Sequence, residues 1–428
     1  MRFFESGFQL FAFFVFAAAV GHTFVMHRFH RLAARFPARS LRGIVCRLLG
    51  EVEIVFGVWA LVALVGLGLG HSGQMALGYL RDCHFSEPIF VFAVLLVCAT
   101  RPLMVFAERA VILLSRVLGS GGRSVYVVTL VLGPLLGSVI TEPAAMSVTA
   151  LILWQLFYQP AHGHRMSLSL KYATLGLLFV NVSIGGVLTP YAAPPVLMVA
   201  RSWGWDLSFM LGVFGWKAII AIGLSTFLVA TWFSKELETF SLPTEHQLHQ
   251  VPVWVSVLHM AFLGVMVVFA HEWPMVLVLL MGFVGFVWVT SQWQDKLRFR
   301  DALGVGIFLS GLVVLGGLQK AWVASLISGL SAFQLFIGAI GLTAIVDNAI
   351  LTYLGSLVPH LSTMSQYALV AGAVAGGGLT IIANGANPIG YRVLNDSFGE
   401  DGIRALRLAL YASFPTLIAA LSFWVFRG

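Results

Sequence analysis

Residues 139–146 read VITEPAAM, an acid and a proline set between two apolar runs, VYVVTLVLGPLLGS (125–138) and SVTALILWQLFY (147–158). Were the two runs one membrane helix, Glu142 would sit near its middle, where a carboxylate costs at least ~2.5–3.5 kcal/mol on insertion scales. Each run alone holds roughly 15 residues and, at ~1.5 Å per residue, reaches ~22 Å, short of the ~30 Å hydrocarbon core. A hairpin that enters and leaves on one side meets both constraints. Proline suits the first position of a helix. One helix therefore ends and another begins at Thr141-Glu142-Pro143, leaving carbonyls and amides there without intrahelical partners.

Outward from this stretch the chain is of one kind. It has 428 residues, 59% of them hydrophobic and 10% charged, where a soluble domain carries ~25% charge. Uninterrupted apolar runs lie near 7–25, 49–70, 88–100, 208–233, 253–270, 274–290, 302–318 and 405–426. Interrupted ones lie near 125–158, 172–200, 333–359 and 365–394. Backbone groups in lipid must pair within a helix or a closed barrel, and the alternating pattern of a barrel is absent. The expected fold is an all-α polytopic membrane protein of about ten full spans plus two re-entrant hairpins.

The net charge of +7 needs no nucleic acid, because basic residues gather in loops on the cytoplasmic side. With the N-terminus outside and segments 125–158 and 333–359 returning to their own sides, nineteen of the 25 lysines and arginines fall inside. Arg28, Arg31, Arg35, Arg39, Arg42 and Arg47 form the densest block, directly after the first apolar run. That block makes 7–25 a first span rather than a cleaved leader. Both termini are expected outside, in a bacterial cytoplasmic membrane. The three cysteines, Cys46, Cys83 and Cys98, have neither metal spacing nor a disulfide pattern.

The chain also repeats itself. GGVLTPYAAPPVLMVA starts at Gly185 and GGGLTIIANGANPIGYRV at Gly376. In each, Gly-Gly-x-Leu-Thr leads into a helix-breaking stretch, with Pro194 and Pro195 in one and Asn387-Pro388 in the other. Upstream, GSVITEPAAMS (137–147) matches GLTAIVDNAIL (341–351) in kind, an apolar helix ending at an acid, Glu142 or Asp347. By charge the first hairpin enters from the cytoplasm and the second from outside. The chain thus divides into inverted repeats, 1–245 (hairpin 125–158, broken helix 172–200) and 246–428 (hairpin 333–359, broken helix 365–394). The boundary lies in the polar stretch KELETFSLPTEHQLHQ (235–250). Paired interrupted segments in two halves point to the binding site of a secondary transporter.

VITEPAA and GGGLTIIANGANPIGY resemble the ion transporter superfamily, within it most of all the sodium/proton antiporter group. D-type sodium/proton antiporters, arsenite exporters and dicarboxylate symporters are related. The resemblance covers roughly 85–235 and 300–426. It implies a scaffold with a moving unit of two hairpins and two broken helices, homodimers, and elevator-type alternating access. It implies a site at the hairpin tips and helix breaks, here Thr141 to Ser147, Thr189 to Pro195, Asp347 to Thr352 and Asn384 to Pro388. The Ser-Asn-Thr tip of dicarboxylate members is missing. Two carboxylates stand in its place and would repel an anion in a low-dielectric site.

Sodium takes oxygen ligands, as hard cations do. Thr141, Asn348, Thr189, Thr380, Asn384 and Asn387 offer side-chain oxygens or amides, broken helices offer carbonyls, and Glu142 and Asp347 supply charge. Burial favours the neutral carboxyl, whereas a cation or a helix N-terminus favours the charged one. A group held between these influences can trade a proton for sodium or another monovalent cation. The acids can equally serve as helix caps, and Asn384 and Asn387 as turn residues. Pro143, Pro194, Pro195 and Pro388 fix the breaks. Lys217, inside an apolar run, is a candidate counter-charge or a side chain that reaches the interface. No cofactor is expected beyond the transported ions, and no GxxxxGK[ST] loop suggests ATP coupling. An exporter or symporter of a carboxylate or metalloid oxyacid is the alternative. An intramembrane aspartyl protease would need Tyr-Asp and Gly-x-Gly-Asp motifs, which the sequence lacks.

Overall fold

Serine side chains begin many of the helices. Ser40, Ser72, Ser167, Ser331 and Ser362 each accept a hydrogen bond from an amide in the first turn, satisfying donors that the helix itself leaves open. Ser331 completes a capping box with Gln334. Between these starts the apolar runs wind into helices, with no strand among the described residues. The computed structural model describes residues 6–37, 39–119, 121–159, 166–240, 251–270, 272–327, 329–399 and 402–427. The expected boundary at 245 lies outside them.

The order is α1 (Ser6–Ala33), α2 (Leu41–Gly50), α3 (Val52–Gly70), α4 (Gly73–Asp82), α5 (Ser86–Cys98) and α6 (Arg101–Val117). Helices α7 (Gly122–Ile140) and α8 (Glu142–Leu153) form the first hairpin, and α9 (Leu168–Gly185) and α10 (Pro194–Trp203) the first broken helix. Next come α11 (Leu207–Trp232), wound as a π-helix over Met210–Gly215, α12 (Val253–Val268) and α13 (Trp273–Val289). The chain closes with α14 (Phe299–Gly317), α15 (Lys320–Ile327), the hairpin α16 (Ala332–Thr343) and α17 (Asn348–Ser356), the broken helix α18 (Thr363–Gly376) and α19 (Asn387–Leu394), and α20 (Ala405–Val425).

This is an all-helical polytopic membrane protein. Among the described residues five helices are alone long and apolar enough to cross a membrane: α7, α9 extended to Leu188, α11, α14 and α20. The pairs α2–α3 and α5–α6, bent by 98° and 68°, raise the number to seven. Residues 7–23 of α1, with α12, α13 and α16, are shorter apolar helices. About ten full spans is therefore more than helix length alone supports, because several apolar runs bend or stop within the run. The run near 88–100 bends at Ala99–Thr100 into α6, which carries Pro102 in its first turn. The first hairpin arm is also longer than the roughly 15 residues expected from its apolar run. It has 19, because α7 starts at Gly122 and continues through Pro134.

Packing sets the tips and breaks against one another. Helix α7 packs on α8 and α9, and α16 packs on α17 and α18. The second halves then cross over, α10 lying on α17 and α19 on α8. Helix α9 is enclosed on nearly all sides, 94% of its apolar window being buried against 39% for α11 and α20. Helices α3 and α5 pack on α14 to one side of this core.

Candidate functional site

The first tip turns on a single residue. Thr141 both ends α7 and precedes α8, with φ 75° and ψ 152°. A β-branched residue there is a real outlier, strained by ~1–3 kcal/mol. Its hydroxyl is thereby presented where the two arms part. Glu142 and Pro143 follow as the first two residues of α8. Glu142 is 0% exposed. Its Oε2 accepts a hydrogen bond from Asn384 Nδ2 at 2.8 Å. Its Oε1 has no partner among the described residues.

The second tip is built differently. Asp347 is the N-cap of α17, and its Oδ1 accepts from the Ala349 amide at 2.8 Å. The Ile350 and Gly385 amides also face the carboxylate. Asp347 is only partly buried. The Asn348 amide donates to Ala383 O at 3.0 Å, tying this tip to the second helix break.

Each break is latched to its own hairpin by a threonine. Thr189 Oγ1 donates to Ser138 O at 2.8 Å, and Thr380 Oγ1 donates to Ala344 O at 2.8 Å. Ser138 and Ala344 each lie three residues before the tip residue, Thr141 or Asp347. Two close approaches repeat the match. A Cβ on Gly186 would lie 2.7 Å from Glu142 Oε1, and one on Gly377 would lie 2.8 Å from Asn348 Nδ2. Contact for contact, then, Asp347 corresponds to Thr141, and Asn348 to Glu142. The sequence alignment that set Glu142 against Asp347 is off by one residue. It matched acid to acid, whereas the backbone matches helix start to helix start.

Most of the expected residues meet here. Asn387 Nδ2 donates to Gly377 O at 2.7 Å and Thr380 O at 2.8 Å, bridging the unwound end of α18, and its Oδ1 is left unpartnered. Asn384 Oδ1 takes the Ala386 amide. Asn348 Nδ2 is unpartnered. Pro194 and Pro195 open α10, and Pro388 stands in the first turn of α19, where a missing amide hydrogen does no harm. Ser138 was not anticipated. It accepts the Leu188 amide and donates to Gly185 O, clamping the first break. The paired Gly-Gly-x-Leu-Thr was its only trace in the sequence.

Lys217 stands elsewhere. It is buried, and its Nζ donates to Tyr367 Oη at 3.0 Å with the Tyr367 ring 4.5 Å away. The ion pairs found among the described residues are Arg101–Asp295, Arg201–Glu87 and Arg300–Glu51, and Lys217 is in none.

Beside the first tip a cavity of about 20 Å³ separates Thr141, Pro143 and Tyr191 from Phe90 and Val94 of α5. That is room for one water-sized guest. Among the described residues no three His, Cys, Asp or Glu come together. The donors are a carboxylate, carboxamides, hydroxyls and carbonyls, a set suited to a hard monovalent or small divalent cation.

A family model described as "Putative Na+/H+ antiporter" matches residues 7–426. No curated protein matches the chain. Among solved structures, the YdaH transporter of Alcanivorax borkumensis is similar at 16% identity, over 87% of this chain and 96% of that one, with a TM-score of 0.48.

Proposed function

The chain belongs to that Na+/H+ antiporter family, and on this premise we propose that it exchanges sodium, or another monovalent cation, for protons at Glu142. One observation carries the reading. Glu142 is wholly buried, held by Asn384 through one oxygen and unpartnered at the other. A buried polar atom without a partner is destabilising by ~1–3 kcal/mol, more when charged. A cation at Oε1 supplies the missing partner, a proton instead removes the charge, and the two exclude each other. That is the logic of competitive exchange at one site.

Asn387 Oδ1 and the hydroxyls of Thr141, Thr189 and Thr380 complete the cation's oxygen donors. Asn348 can offer its oxygen by turning its amide over, since Nδ2 has no bond to lose. Asp347 supplies a second negative charge while capping α17. The matching latches of the two hairpins support a division into inverted repeats 1–245 and 246–428. With the crossed packing of α10 on α17 and α19 on α8, they also support movement of hairpins and broken helices as one unit. Elevator-type access, a homodimer, and a cytoplasmic membrane with both termini outside belong to the same proposal.

The test is a proteoliposome assay with a pH-sensitive dye. Added sodium should dissipate an imposed proton gradient in the wild type and not in Glu142→Gln. A wild type indifferent to sodium, lithium and potassium would overturn the proposal.

A further inference from the structure

Helix α2 is amphipathic in an unusual way, since its apolar face is the one left uncovered. Leu41, Ile44, Val45 and Leu48 recur at i, i+3, i+4 and i+7 and are all exposed, Leu41 by 77%. The opposite face, Gly43, Cys46 and Gly50, is buried where α2 packs on α1 and α3. At ~100° per residue, Arg42 and Arg47 stand about 110° to either side of the exposed stripe. The helix meets α3 at 98°, so it runs across the direction of that span. Arg28 and Arg31 on the last turns of α1, with Arg35 and Arg39 in the connecting turn, are exposed beside it. From Ser6 to Gly50 the chain holds six arginines and no acid.

We propose that α2 and its arginines form a docking surface for anionic phospholipid, the stripe Leu41–Ile44–Val45–Leu48 entering the acyl boundary and the flanking guanidiniums holding headgroup phosphates. An in-plane helix with a large apolar stripe and basic flanks binds in this way. Arginine matches phosphate with paired N–H donors. A cluster of basic residues next to a span is drawn to anionic headgroups. An exposed apolar stripe has no favourable place in water, and here charge complementarity selects the lipid. The proposal is independent of the exchange chemistry at Glu142.

The experiment uses the full-length protein in detergent, with bound lipid counted by native mass spectrometry. Phosphatidylglycerol is offered against phosphatidylcholine, and inorganic phosphate serves as a competitor. The wild type should prefer phosphatidylglycerol, and the preference should fall about fivefold for each of Arg42 and Arg47 changed to Gln. Arg42→Lys should keep most of it, Ile44→Ser should weaken lipid binding of both kinds, and phosphate should not compete. Unfolding temperature in phosphatidylcholine separates these effects from misfolding. Equal preference in wild type and Arg42→Gln/Arg47→Gln would overturn the proposal. So would displacement by phosphate alone, or efficient disulfide cross-linking between copies through Ile44→Cys, which would make the stripe a dimer contact.

Discussion

Gly186→Ala probes the space beside the unpartnered carboxylate oxygen with one methyl group. Gly186 has φ −76° and ψ −10°, which alanine adopts freely, so the substitution carries no backbone penalty. The added Cβ would lie 2.7 Å from Glu142 Oε1 and from Cγ, and 3.1 Å from Ala193 Cβ. Ordinary C···O contacts start near 3.3 Å, so about 0.6 Å must be absorbed. The carboxylate cannot swing away without stretching the bond from Asn384 Nδ2 to Oε2. Overpacking of this kind costs ~1–3 kcal/mol. Falling on the cation-bound state, that is an apparent sodium affinity about 5- to 150-fold weaker. The assay is sodium-dependent dye response in proteoliposomes, with unfolding temperature measured alongside. A variant as stable as the wild type with unchanged sodium dependence would refute the placement of the cation at Oε1.

Other substitutions separate neighbouring roles. Asn384→Ala removes a hydrogen bond to a buried acid and should cost ~1.5–3 kcal/mol of stability, read as a lowered unfolding temperature that Asn384→Gln only partly restores. Asp347→Asn keeps a good N-cap, so it should fold as the wild type while its sodium dependence shifts; Asp347→Ala should lose ~1 kcal/mol of stability as well. Thr141→Gly relieves the positive φ and should gain stability of ~1 kcal/mol while slowing exchange through loss of the hydroxyl. Tyr367→Phe leaves the buried Lys217 ammonium without its oxygen partner and should destabilise by ~1–3 kcal/mol. Lys217→Met should be milder and should still exchange, which activity and melting curves can check together.

Much of this architecture was legible because lipid tolerates so little. Apolar runs had to be helices, and Pro194-Pro195 and Asn387-Pro388 had to interrupt them. What stayed hidden depended on tertiary contact. Asn384 meets Glu142 across 242 positions of sequence, and no local pattern encodes that pairing. The first hairpin arm begins at Gly122, ahead of its apolar run, and continues through Pro134. Residues 41–50 read only as part of the basic stretch before the 49–70 run, and the 98° turn between α2 and α3 has no mark in composition, which records hydrophobicity and not direction. Lys217 drew attention as a charge in lipid, but burial against Tyr367 was a packing outcome beyond the reach of sequence spacing.

The one-residue offset between the tips has a further meaning. Glu142 and Asn348 occupy corresponding places, each above a glycine that leaves it room. The scaffold treats the two sides nearly alike, while the side chains do not. Exchanging that pair, Glu142→Asn with Asn348→Glu, would keep the composition and carry the ionisable group over Gly377, beside Ser183. On the proposed reading, which of the two tips carries the exchanging acid is a matter of two side chains and not of the helices that hold them.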